Sequence, residues 1–164
     1  MDWVIRATTE AEWRSLRDTR IEALTDTPNV FGTRLTDAIE YSEDYWRERA
    51  NGEGSFRFFL AWVGPKPIGI AGLILEDESR AQVIQLWVSP DYRGKKLGRA
   101  LIARTVEEAV AAGRTQLHLW VTVDNGAIDL YERMGFAPTG RYHPLPSNPL
   151  IEQLEMESAT SAVG

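Results

Sequence analysis

Residues 84–103 bring together the two residue types that anion chemistry needs, cations and glycines. An apolar run breaks at Pro90, and Arg93, Gly94, Lys95, Lys96, Leu97, Gly98 and Arg99 follow, with four cationic side chains and two glycines among them. If a helix begins there, its first N–H groups have no intrahelical acceptor, and both they and the helix dipole would face a phosphate. By spacing alone the same residues read equally well as a solvated basic turn. The surrounding elements have to decide.

A chain of 164 residues fits one domain with a core that needs neither disulfides nor metals. Residues 1–157 are expected to form that domain and 158–164 a flexible tail. Hydrophobic residues make up 43% with six Trp, yet no apolar run approaches the ~20 residues of a membrane span, so no membrane partner is expected. The N-terminus carries acids early and lacks a signal-like apolar stretch, which makes the cytoplasm the expected compartment. The absence of Cys excludes disulfides, thiolate metal sites and a cysteine nucleophile, and with only His118 and His143 no metal is expected. A net charge of −6 and a pI near 5.0 argue against nucleic acid. A nucleotide or coenzyme suits the local basic turn better than a polymer does.

Around that turn the chain alternates strand and helix signals. Residues 3–7 read as a strand, and the capping-box pair Thr9 and Glu12 precedes a helix carrying Trp13, Leu16, Ile21 and Leu24, expected to end near Leu24. A loop through Pro28 and Gly32 leads to a second helix, capped by Ser42 and stopped by Asn51 and Gly52. Residues 55–63 and 68–75 form a hairpin across Gly64, Pro65, Lys66 and Pro67, and residues 82–88 add a third antiparallel strand. After the basic turn, Leu97, Leu101, Val106, Ala109 and Val110 give a helix its apolar face, ending at Gly113. Residues 115–121 alternate as a strand, parallel to 82–88 because a helix connects the two. A short helix over 127–134 closes at Gly135. Strands over 136–141 and 150–156 follow, separated by a proline-rich linker at 142–149.

This order of elements, with VSPDYRGKKLGRAL at 88–101 and VTVDNGAIDLYERMGF at 121–136, resembles the GNAT superfamily of acyl-CoA-dependent N-acetyltransferases over nearly the whole chain. The resemblance implies an α+β fold: a mixed, mostly antiparallel sheet of about seven strands flanked by about four helices, its parallel pair splayed apart. It implies acetyl-CoA as co-substrate, held by Val88, Arg93, Gly94, Lys95, Lys96, Leu97, Gly98, Arg99, Asn125 and Tyr131. It also implies that the backbone of Leu86, Trp87 and Val88 contacts the acetyl group, and that Tyr131 donates a proton to the leaving thiolate. The chain departs from the family pattern in two places. Lys96 stands where the pyrophosphate loop usually has a glycine, so its backbone is expected to avoid strongly glycine-only dihedrals. Asn125 precedes Ala127 by one intervening residue where two are common.

The activity so implied is direct transfer of acetyl to a primary amine in a ternary complex. The alternative is a non-catalytic acyl-CoA-binding or sensor domain of the same fold. Deprotonating an ammonium calls for a carboxylate or a water chain. Gln85 occupies the strand position where some relatives carry glutamate, and Glu40, Glu76, Asp77 and Glu78 are the other carboxylates considered, each as readily a solvated surface residue. Phe31, Tyr45, Gln85 and Trp120 are the acceptor-pocket candidates, although aromatics at such spacing are commonly core. A small-molecule amine or a peptide amine would serve as acceptor. A homodimer is left open.

Overall fold

Strands β1 (Val4–Ala7), β2 (Phe56–Val63), β3 (Lys66–Leu75), β4 (Arg80–Val88), β5 (Gln116–Thr122), β6 (Ala137–Leu145) and β7 (Asn148–Ala159) form one sheet in the computed structural model, which describes residues 2–164. Their spatial order is β1-β2-β3-β4-β5-β7-β6. Every neighbouring pair is antiparallel except β4 and β5. Helices α1 (Trp13–Asp26), α2 (Leu35–Ala38), α3 (Glu43–Ala50), α4 (Leu97–Ala111) and α5 (Ala127–Arg133) cover the sheet. The expected α+β architecture is present, with the one-turn α2 as an additional helix.

The aromatic run of β2 is explained by burial on both faces of the strand. Phe58, Leu60 and Trp62 pack with Trp13, Leu16 and Trp46 of α1 and α3, while Ala61 packs on Leu97 and Leu101 of α4. The period of two sends alternate residues to opposite layers. Close packing of α4 depends on Gly69, where a Cβ would lie 3.0 Å from Leu101 Cδ1 and 3.2 Å from the Trp87 carbonyl oxygen. On α4 itself Val110 is exposed, contrary to expectation. Ile102 and Thr105 are buried in its place, because the 3.6-residue period carries position 110 round to solvent.

The C-terminal strands are longer than the sequence suggests. Residues 142–149 are mostly strand, with β6 and β7 joined across Pro146 and Ser147. Pro144 is tolerated because β6 is the sheet edge, and Pro149 because β7 has only β6 as a partner at that end. β7 also runs on to Ala159, past Met156, and the Thr160 N–H then donates to the Thr115 carbonyl at 2.9 Å. No helix of the described residues is long and apolar enough to cross a membrane.

The parallel pair positions the site. β4 and β5 are in register only at Arg80 with Gln116, Ala81 with Leu117 and Gln82 with His118. Beyond that they separate. Within β4 the register to β3 slips, so that Gly72 faces Ile84 but Ile70 faces Trp87. The extra residue is a β-bulge at Gln85, whose φ is +56°. A bulge bends its strand and raises the local twist, which turns the end of β4 away from β5.

Candidate active site

The basic turn leaves a run of backbone N–H groups free at the start of α4. After Pro90–Tyr92, a turn of 3₁₀ helix, Gly94 and Lys96 both take left-handed conformations (φ +74° and +67°) before α4 begins at Leu97. The first helical hydrogen bond is donated by the Ala100 N–H to the Lys96 carbonyl at 3.1 Å, so the N–H groups of residues 94–99 have no backbone acceptor among the described residues. All of these residues except Lys95 border a cleft of about 880 Å³. Lys96 stays out of the glycine-only region, as expected. It adopts the αL basin, which a residue with a Cβ can enter at a cost of about 1–2 kcal/mol.

The side chains of the turn divide into two groups. Lys96 and Arg99 line the cleft, whereas Lys95 does not; its ammonium donates to the Asp91 carbonyl at 3.1 Å and lies over the Tyr92 ring. Arg93 lines the cleft but is already engaged, donating from Nε to the Val88 carbonyl at 3.0 Å and pairing through Nη2 with Asp26. Asp26 also accepts from Trp87 Nε1 at 2.9 Å. That hydrogen bond first, and Arg93 after it, hold the Asp26 carboxyl below the usual carboxylate range. Sequence reading missed Asp26, and no local signal marks it, because its partners lie 61 and 67 residues away.

Of the three β4 residues expected to offer backbone groups, two have backbone groups that are not directed at β3. Trp87 pairs with Ile70, and the Ser89 N–H donates to the Ile68 carbonyl at 2.8 Å, so the backbone groups of these alternate residues face β3. Leu86 and Val88 therefore face the side that β5 has vacated. Trp87 is a correction to the expected set: its backbone is used in the ladder and its indole is buried over α1.

Asn125 and Tyr131 close the cleft from the β5 side. Asn125 Oδ1 accepts from the Ala127 N–H at 2.8 Å, opening α5 with a side-chain turn and leaving the amide NH₂ as a free donor. Tyr131 is 7% exposed and packs edge-on to Phe136 at 6.0 Å between ring centroids. Burial pushes its phenol well above the ordinary tyrosine value. The ring borders the cleft and also a second cavity, of about 370 Å³, on the far side of the opening. Leu86 and Asn125 are likewise shared, so the two spaces meet where β4 and β5 part.

The second cavity gathers all four acceptor-pocket candidates, Phe31, Tyr45, Gln85 and Trp120. Two residues that sequence reading passed over join them, Arg20 from α1 and Arg49 from α3. Arg20 is 3% exposed. Its only sequence signal is a cation on the apolar stripe of α1. No Asp or Glu lines this cavity among the described residues. Glu40 is exposed, and Asp77 accepts from the Ser79 and Arg80 N–H groups at 2.8 Å within its own turn. Glu76 is hydrogen-bonded to His118 Nε2, in a cluster where His118 Nδ1 contacts Glu155 at 3.0 Å.

A model of the acetyltransferase (GNAT) family matches residues 13–136. The chain belongs to this family. Among curated GNAT relatives, an uncharacterized N-acetyltransferase of Methanocaldococcus jannaschii is 38% identical over 86 residues, covering 48% of this chain and 38% of its own length. N-acetyltransferase 8B of Rattus norvegicus is 30% identical over 115 residues, covering 66% of this chain and 50% of its own. The chain thus matches half or less of either relative. The fold also matches a spermidine N-acetyltransferase from Vibrio cholerae solved with CoA and spermine, at TM-score 0.74 and 20% identity over 98% of this chain and 95% of that one.

Proposed function

We propose that this GNAT chain is an acetyl-CoA-dependent N-acetyltransferase that moves acetyl directly to a primary amine while both substrates are bound. The observation that carries this reading is the meeting of the cleft beside the basic turn and the second cavity at Leu86, Asn125 and Tyr131. A donor in one and an acceptor in the other would approach through the gap in the sheet. Acetyl-CoA supplies an acetyl thioester. The N–H groups of residues 94–99, with Lys96 and Arg99 beside them, suit its pyrophosphate, and Asn125 has an amide donor to offer the arm.

The remaining chemistry belongs to this chain. The Leu86 and Val88 N–H groups, facing away from β3, are placed to hold a carbonyl oxygen as negative charge develops on it. Tyr131, kept protonated by burial, is the proton donor for the departing thiolate. The acceptor cavity contains no carboxylate base, but Arg20 and Arg49 disfavour the charged form of an incoming ammonium, since like charge lowers its pKa. The proton then leaves to water. No cysteine is available for a covalent intermediate of the thiolate kind, in accord with direct attack.

The test is an amine panel incubated with acetyl-CoA, with free thiol followed by colour and products by mass spectrometry. Sustained thiol release that depends on an amine, with the matching N-acetyl product, supports the reading. Tight coenzyme binding without acetyl transfer to any amine would replace it with the sensor-domain reading.

A further inference from the structure

Arg20 is a buried cation over the Phe31 ring, 4.5 Å from its centroid, with no carboxylate partner among the described residues. Its Nη1 has no hydrogen-bond partner. The charged or polar groups acting on it are the phenols of Tyr45 and Tyr41, and burial pulls its pKa down to about 10, which still leaves it charged at neutral pH. The Tyr45 phenol is itself pushed upward by burial and stays neutral. An unpaired buried charge costs several kcal/mol, an expense that a fold keeps where a ligand offsets it. Arg20 lines the acceptor cavity, and also a void of about 10 Å³ behind it that Gln85 and Arg49 share.

The rest of the cavity gives the same indication. Arg49, stacked at 3.5 Å over Tyr45, is a second cation without a carboxylate, and among the described residues no acid lines the space, although the chain as a whole carries −6. Such a pocket repels a polyamine or an aminoglycoside, whose extra ammonium groups would meet like charge in a low-dielectric site. Phe31, Phe56 and Trp120 supply apolar wall.

Building on the acetyltransferase reading, we propose that the acceptor is a small primary amine bearing a carboxylate, an amino acid with an apolar side chain, and that Arg20 binds the carboxylate. This orientation leaves the amine free to point toward Leu86 and Tyr131. The acetyl C–S bond breaks as the C–N bond forms, the thiolate takes the Tyr131 proton, and the proton shed by the acylated nitrogen passes through water to restore the Tyr131 phenol.

Two product mimics that differ only in charge test the site without turnover. N-acetylphenylalanine and N-acetylphenylalanine amide are titrated calorimetrically into the full chain saturated with CoA. The acid is expected to bind about tenfold or more tightly than the amide, the worth of a charge-assisted hydrogen bond. Arg20→Met should abolish that preference. Gln85→Glu, which puts a carboxylate on the cavity and void that Arg20 borders, should abolish it too and leaves Arg20 in the core. Equal binding of acid and amide by the unaltered chain overturns the proposal and leaves a water in the void as the partner of Nη1. Acetylation of spermidine in preference to phenylalanine also overturns it, while sparing the acetyltransferase reading. Carboxylate-selective binding with no acetyl transfer to any amine upholds the site and sinks that reading instead.

Discussion

At the scale of single residues, two positions carry consequences that kinetics and melting can read. Tyr131 has no hydrogen-bond partner among the described residues and an upward-shifted phenol, so its hydroxyl stays protonated through neutral and mildly alkaline pH. Tyr131→Phe is expected to lower kcat by about 10²- to 10⁴-fold with little change in coenzyme Kd. Full retention of kcat would reduce the ring to a packing partner of Phe136. Lys96 bears a left-handed backbone with a Cβ present. Lys96→Gly should stabilise the fold by about 1 kcal/mol by removing that strain, partly offset by glycine's greater freedom when unfolded. Thermal denaturation checks the sign, and a lower Tm would show that the lysine side chain contributes more than its backbone costs.

At the scale of elements, the splay between β4 and β5 depends on what ties their paired ends together. Glu155 of β7 does much of this. It is 2% exposed, and it contacts Arg80 of β4 at 3.0 Å, His118 of β5 at 3.0 Å and Thr139 of β6 at 3.0 Å. Burial alone would raise its carboxyl, but Thr139, Arg141, His118 and Arg80 together hold it below the ordinary glutamate value. A depressed folded pKa means stability that is present above the unfolded value and is lost as pH falls through the folded one. Glu155→Gln should therefore cost about 1.5–3 kcal/mol at pH 7, because it removes the buried carboxylate that accepts from the part-exposed Arg80 and from Thr139, and should flatten the acid side of the stability profile. Urea melts at pH 7 and at pH 4 measure both effects. An unchanged midpoint at pH 7 would mean that the cluster does not hold the strands.

At the scale of the whole molecule, charge is distributed against the average. The chain is acidic overall, while the cleft beside the basic turn carries Arg93, Lys96, Arg99 and Arg133 and the second cavity carries two arginines. Partly exposed charges are screened beyond about 10 Å at 0.1 M salt. Coenzyme affinity should thus fall several-fold between 0.05 and 0.5 M salt, on the order expected from losing such screened contacts, in calorimetric titration. Salt-independent binding would mean that the backbone N–H groups bind without help from these side chains.

Much of this architecture is local in origin and was therefore legible in the chain. The basic turn at the start of α4 needs only near neighbours in sequence, α3 needs Ser42 as its cap, and the parallel direction of β4 and β5, though they pair across 36 residues, follows from the single helix that connects them. The extended β6 and β7 were hidden because Pro144 and Pro149 signal a break everywhere except on an unpaired strand side, and only the sheet order supplies that exception. Asp26 could not be read at all, since its hydrogen bonds to Trp87 and Arg93 exist only once α1 lies against the end of β4. Arg20 was equally silent: a cation on an apolar stripe is usually a solvated residue at the edge of that stripe. Sequence by itself determined the family, the sheet and the glycine-containing basic turn at the start of α4. Tertiary structure alone decided which groups are left without partners, because satisfaction of a charge depends on every element that packs around it.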